Sequence, residues 1–296
     1  MSMSQAALLF SLFGHERLAD AVGADCGALR GRLELRAFPD AETYLRYVDD
    51  VAGRDVVLFA NLARPDARIP PLIFAAATAR ELGARRVTLV APYLAYMRQD
   101  HRFRSGEAVT SRLFADWIST YFDALVTVDP HLHRHARLSD VYRIASTTVA
   151  SAPAIAAWLR HAVERPVVIG PDSESEQWVA AVARTAEVPW CIATKTRNGD
   201  RDVAVDMPDL ARWRAHTPVI VDDIISSGRT MLEAVRAVLA AGLPAPVCVG
   251  VHAVFADAAD RTLIEAGARA VITCDTLEHP TNRITIAPLL AAALRT

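Results

Sequence analysis

In VDDIISSGRT, Val221 to Thr230, two carboxylates end an apolar run and a turn of small residues follows. TPVIV reads as a strand and the segment after Gly228 as a helix, so Ser226, Ser227, Gly228, Arg229 and Thr230 form a strand-to-helix turn. Backbone N–H groups in such a turn converge on a phosphate, and the helix N-terminus favours its charge. Gly228 permits close backbone approach. Taken alone, the turn also fits an ordinary capped helix. The acids change the balance. Asp222 and Asp223 repel a phosphate unless something lies between, either sugar hydroxyls or a metal. A phosphorylated sugar satisfies both demands.

Two other stretches carry reactive side chains. VTVDPHLHRH ends an apolar run with Asp129, His131, His133 and His135, and histidine with carboxylate suits a divalent metal. A solvated strand end is the plainer reading of the same alternation. In CIATKTRNGDRD, Lys195 is the only lysine of the chain. Arginine does not replace lysine where a compact, mobile ammonium is needed, so the exception marks Lys195 as functional.

The elements that must position these groups are visible as alternating apolar runs and helical segments. DVVLFANL, RVTLVAPY, ALVTVDP, PVVIG, PVIVDD, PVCVGVHA and AVITCD are continuous, as expected of strands buried on both faces. Helices are expected over Pro71 to Leu82, Thr110 to Tyr121, Ala152 to Val163 and Thr230 to Ala241, with Gly83, Gly242 and Gly267 at helix stops. The class is α/β with mainly parallel sheets. The segment from VLFANL to VAPY repeats the order of VIVDD to GVHA: strand, loop, helix, Gly turn, strand. The first copy lacks the paired acids. With 296 residues, this pattern predicts two similar domains, 1–148 and 149–296, joined near STTVASAP without a low-complexity linker.

Composition excludes several roles. A formal charge of −2 gives no global attraction to nucleic acid or membrane. The apolar start ALLFSLF is too short to span a bilayer and has no signal-peptide flanks. Cys26, Cys191, Cys248 and Cys274 are widely spaced and read as reduced thiols of a cytoplasmic protein.

The strand, paired acids and small-residue loop ending in Thr230 resemble the PRPP loop of type I phosphoribosyltransferases. Further stretches resemble one branch of that fold, the ribose-phosphate diphosphokinases or PRPP synthetases, particularly archaeal-like members. RAFPDAETYLR is similar to the family's FPDGE segment, with Ala41 in place of glycine. APYLAYMRQDHRF is similar to its YxRQD segment. DPHLH, VVIGPDSESEQW, KTR and the closing stretch CDTLEHPTNRITIAPLL also match in order and spacing.

The resemblance implies roles for individual residues. Asp40 and Glu42 bind the nucleotide base, often across a subunit boundary. Arg98 contacts phosphate and Gln99 faces the nucleotide. His131 and Asp172 serve the metal, with Asp129 a second candidate; His133 and His135 are peripheral. Lys195 and Arg197 belong to a mobile catalytic arm. Asp222 and Asp223 hold ribose, and residues 226–230 hold its 5-phosphate. The implied fold is two phosphoribosyltransferase-like domains, each with a mainly parallel sheet flanked by helices. The implied reaction is diphosphoryl transfer from ATP to ribose 5-phosphate with Mg2+, in a homodimer or hexamer. Ser173 to Glu176 depart from the family, which has a neutral glycine pair there. Those carboxylates repel polyphosphate, hold another cation, or favour a helix start. The alternatives are a phosphoribosyltransferase that consumes PRPP and a catalytically silent regulatory homologue.

Overall fold

The computed structural model describes residues 6–132, 134–197, 203–206 and 210–295. The chain forms two compact units, one running to Val149 and including the segment from Ala287, the other Ala150–Ile286.

The first unit contains β1 (Leu8–Leu12), α1 (Glu16–Cys26), β2 (Leu29–Arg30), β3 (Leu33–Ala37), β4 (Thr43–Tyr47), β5 (Asp55–Ala60), α2 (Ile69–Glu81), β6 (Arg86–Ala91), α3 (Thr110–Tyr121), β7 (Ala124–Val128) and β8 (Ala145–Val149). Its six-stranded sheet has the order β2-β1-β5-β6-β7-β8, and every pair is parallel. The central runs are buried nearly throughout, as the continuous apolar sequences require: Phe10, Leu58, Leu89 and Leu125 have no more than traces of exposure. α2 starts where Pro70 and Pro71 occupy its first turn, where missing N–H groups cost nothing.

The second unit contains α4 (Ala152–Ala162), β9 (Pro166–Gly170), α5 (Glu176–Ala186), β10 (Trp190–Ile192), β11 (Thr194–Arg197), β12 (Val203–Asp206), β13 (Thr217–Ile225), α6 (Arg229–Ala240), β14 (Val247–Ala253), α7 (Ala259–Glu265), β15 (Ala270–Cys274) and β16 (Asn282–Ile284). Its sheet, β10-β9-β13-β14-β15-β16, is also parallel throughout and six-stranded. Ile169, Ile220, Cys248 and Val235 lie in the core between this sheet and its helices.

The two sheets share one connectivity. Each places its second strand on one flank of its first strand and the later strands on the other. Each inserts an antiparallel hairpin at the same point in the order, β3–β4 in one and β11–β12 in the other. The repeat in the sequence therefore corresponds to β5-α2-β6 and β13-α6-β14.

The C-terminal helix α8 (Ala287–Leu294) differs from expectation. It groups with the first unit and packs along α1, whereas the sequence division placed it in the second half. Ala287, Leu290 and Ala291 are buried there, and Arg295 Nη1 donates to the Asp25 carbonyl at 2.6 Å. A uniformly apolar helix has no feature in sequence that says which sheet it covers. Among the described residues, no helix is long and apolar enough to cross a membrane.

Candidate active site

β13 delivers two carboxylates at its carboxyl end. Successive strand residues point to opposite faces, and Asp223 is buried at 4% exposure while Asp222 is partly exposed. The Asp223 N–H donates to Asp222 Oδ1 at 3.0 Å, and the Ile224 N–H donates to Asp223 Oδ1 at 2.7 Å. Burial, then the charges of Asp223 and Asp172, hold the Asp222 carboxyl well above the usual carboxylate range. Asp172 thus acts on the same place from the turn after β9.

The turn Ser226–Gly228 follows. Gly228 has φ +71, a left-handed conformation in which a side chain is strained, although a Cβ there would make only ordinary contact with Ala259 at 3.4 Å. The Leu232 N–H donates to the Gly228 carbonyl at 2.8 Å and starts α6. Ser227 and Arg229 are exposed at the head of that helix. The Ala256 N–H donates to the Ser226 carbonyl at 3.1 Å, bracing the turn from the loop after β14.

The acidic departure from the family pattern has a local explanation. Asp172 accepts from the Glu174 N–H at 3.1 Å, and Ser175 Oγ donates to the Asp172 carbonyl at 2.6 Å. This capped turn of 3-10 helix, Ser173–Ser175, leads directly into α5. Ser175 is buried against Gly170, where a Cβ would come within 2.5 Å of its Oγ. Glu174 and Glu176 are exposed to solvent.

Lys195 and Arg197 lie on β11, with backbone partners Val205 and Val203 on β12. Asn198 and Gly199, read as the turn of the arm, lie outside the described residues, as does His133.

In the first unit, Asp40 and Glu42 occupy the tip of the β3–β4 hairpin. The Phe38 N–H donates to the Glu42 carbonyl at 2.7 Å, and the Glu42 N–H to Asp40 Oδ1 at 3.2 Å. Ala41 has φ +71, so it adopts the left-handed conformation for which glycine is the usual residue. Beside it stands a group that sequence reading missed. Phe38 is 41% exposed, and the Arg36 guanidinium lies 5.1 Å from its ring and 4.0 Å from that of Tyr44. An exposed aromatic backed by a cation is a stacking surface for a flat base. Its signal was the phenylalanine of FPDAE itself.

The loop after β6 carries exposed Arg98 and half-buried Gln99, whose carbonyl accepts from the Ser111 N–H at 3.3 Å as α3 begins. The loop after β7 carries Asp129, with φ +32, and half-buried His131. Asp100 joins these two loops, a role not read from sequence. It pairs with His101 Nδ1 at 2.7 Å and with Arg134 Nε at 3.6 Å. Burial raises its pKa, but the His101 hydrogen bond and the charges of His101 and Arg134 outweigh this and hold it low.

The structure places Asp172 where its charge acts on Asp222, beside Asp223 on β13, and places Asp129 and His131 on one loop of the other unit. No group of three or more metal-ligating side chains converges among the described residues. The charges of Asp223 and Asp172 act on Asp222, and carboxylate oxygens of this kind suit a hard cation.

The sheets and their loops define a protein of two phosphoribosyltransferase-type units. Residues 7–121 match the family model for the N-terminal domain of ribose phosphate pyrophosphokinase, and residues 146–288 match that for the phosphoribosyl transferase domain. The ribose-phosphate pyrophosphokinase of Sulfolobus acidocaldarius is 31% identical over 86% of this chain and 88% of its own length. That of Methanopyrus kandleri is 32% identical over 94% of each chain. That of Halobacterium salinarum is 33% identical over 97% of this chain and 100% of its own. The crystal structure of phosphoribosylpyrophosphate synthetase from Mycobacterium smegmatis superposes with TM-score 0.86 at 26% identity, covering 98% of both chains. The chain belongs to the ribose-phosphate pyrophosphokinase family, a family of diphosphotransferases.

Proposed function

We propose that the chain transfers the diphosphoryl group of ATP to the anomeric hydroxyl of ribose 5-phosphate, giving PRPP and AMP. The observation that carries this reading is the succession of Asp222, Asp223 and the Ser226–Gly228 turn at the carboxyl end of β13, with the charge of Asp172 acting on Asp222. A site for an anion beside three carboxylates suits a ligand with a phosphate at one end and hydroxyls at the other.

The anomeric oxygen attacks the β-phosphorus. The new bond joins that oxygen to phosphorus, the bond from the α,β-bridging oxygen to the β-phosphorus breaks, and AMP leaves with the bridging oxygen. The hydroxyl proton passes to solvent. Such transfer depends on positioning and charge compensation more than on covalent help. Asp222 and Asp223 accept hydrogen bonds from the ribose hydroxyls and fix the attacking face. Ser226 to Thr230 hold the 5-phosphate. Lys195 and Arg197 offset charge on the transferred group. Phe38 stacks on the base beside Asp40 and Glu42, Arg98 pairs with phosphate, and Gln99 faces the nucleotide. Asp172 would hold Mg2+, as would His131 and Asp129, and the bound ion would supply Lewis-acid neutralisation of phosphate oxygens.

The reading places the protein in the cytoplasm as a homo-oligomer; among the described residues its four cysteines form no disulfide. A coupled assay for AMP tests it. AMP must appear from ATP only when ribose 5-phosphate is present. AMP formation independent of the sugar, or PRPP consumption with an acceptor base, contradicts the proposal.

A further inference from the structure

We propose that the carboxyl edge of the first sheet, where β1 and β5 lie side by side, carries a phosphate-group site formed by Arg64 and Arg68 across the loop Phe13–His15.

The topology marks the place. β1 has β2 on one flank and β5 on the other, so the direction of travel across the sheet reverses there. Loops leaving such neighbouring strands diverge, and the crevice at their carboxyl ends is the usual ligand position in open parallel sheets. In the second sheet the same reversal falls between β9 and β13, where Asp172 and the 226–230 turn stand. The first sheet has no paired acids at its reversal. It has two arginines.

Arg68 spans the crevice. Its Nη1 donates to the Asn61 carbonyl at 2.7 Å on the β5 side, and its guanidinium lies 5.7 Å from the Phe13 ring on the β1 side. Neither Arg64 nor Arg68 forms an ion pair among the described residues. Asp66, between them in sequence, is engaged elsewhere. It accepts from the Tyr96 hydroxyl and lines a groove of ≈ 440 Å³ with Ile73, Trp117 and Tyr121. Partial burial, then the charge of Arg64, lowers the Arg68 pKa, so both influences act against its cation. A cation in that position is relieved by an incoming anion. Backbone strain gathers at the same edge: Phe13, His15 and Arg64, none of them glycine, have φ of +68, +93 and +51. Strain of this kind persists where the surroundings enforce it, and it clusters at ligand sites.

The ligand class is a phosphate group, from a nucleotide tail or from inorganic phosphate. The Tyr96–Asp66 hydrogen bond ties the β5 loop to the loop bearing Arg98 and Gln99. On the function proposed above, on which this nucleotide arm rests, Arg98 holds the proximal part of the nucleotide and Arg64 and Arg68 receive its distal phosphates.

Titration calorimetry on the full chain tests the site with AMP, ATP and inorganic phosphate as separate probes. Three variants are compared with wild type: Arg64→Gln, the double Arg64→Gln/Arg68→Gln, and the double Arg64→Lys/Arg68→Lys. Arg64 is exposed and, among the described residues, makes no side-chain hydrogen bond, so its single variant reports on the site even where the double glutamine variant fails to fold. Loss of a charged hydrogen bond at each step lowers affinity roughly ten- to a hundredfold. A loss for ATP with AMP binding retained assigns the site to the nucleotide tail. A loss for inorganic phosphate with ATP binding retained assigns it to the free ion. The lysine pair, which keeps charge but not the planar fork, falls between. Unchanged binding of all probes, equal losses for AMP and ATP, or no binding by wild type overturns the proposal. Failure of the diphosphoryl-transfer reading is distinct from these: it shows as ATP binding without sugar-dependent AMP.

Discussion

The charge of Asp172, on the turn after β9, helps to hold the carboxyl of Asp222, at the carboxyl end of β13, above the usual carboxylate range. Both belong to one edge of one sheet, and Asp223 adds to the effect. The fold thus holds negative charge together where a ligand with hydroxyls or a cation can relieve it.

Asp222→Asn separates stability from binding. The folded-state pKa of Asp222 is raised, so its protonated form is favoured in the native state. Stability from this group is present below the usual carboxylate pKa and is lost as pH rises through the raised value. The asparagine variant escapes that loss. Its melting temperature should exceed that of wild type near neutral pH, and the difference should vanish in acid. Ribose 5-phosphate binding should weaken by roughly 1.5–3 kcal/mol as a charged acceptor becomes neutral. Equal stability at all pH values, or unaltered sugar kinetics, removes Asp222 from this role.

Asp100→Asn tests the link between the loops of Arg98 and His131. Here the pKa is lowered, so the stabilisation is present above the usual carboxylate value and is lost as pH falls through the folded one. The variant should lose about 1 kcal/mol at neutral pH, a charged hydrogen bond discounted for its partial exposure. It should also raise the KM for ATP while leaving that for the sugar phosphate unchanged. A matching rise for both substrates points to general destabilisation.

Contiguity decided what was legible. Asp222, Asp223 and the 226–230 turn were readable because strand, acids and helix start follow one another in the chain. The parallel sheets were readable from continuous apolar runs. Asp100 with Arg134 was not, because the two meet only when loops after separate strands come together. The side of α8 was equally silent. For Glu174 and Glu176 the sequence leaves open repulsion of polyphosphate, another cation or a helix start; their backbone forms a turn capped by Asp172 and both side chains are exposed.

That placement yields a prediction. Glu174→Gln combined with Glu176→Gln should change kcat/KM for ATP by less than about fivefold, the range of exposed charge effects. A rise of orders of magnitude would show that the carboxylates obstruct a phosphate subsite. A loss of that size would show that they hold a required cation.

Lys195 permits a chemical test without mutagenesis. An amine-selective acylating reagent reaches only this residue and the N-terminal amine, whose lower reference pKa lets it be blocked first near neutral pH. Acylation of Lys195 should then reduce turnover by about a hundred- to a thousandfold, the usual contribution of a charge contact in the transition state. Lys195→Arg should not restore full activity. Intact activity after complete modification, confirmed by intact mass, would remove Lys195 from the catalytic role.

The central claim is that a diphosphoryl unit moves as a whole. Phosphorus NMR of the purified chain with ATP, Mg2+ and ribose 5-phosphate reads this directly. The ATP signals should give way to AMP and to a diphosphate attached at the anomeric carbon, in equal amounts, with no ADP accumulating. ADP together with a sugar bisphosphate, or free phosphate without any diphosphate ester, would contradict it.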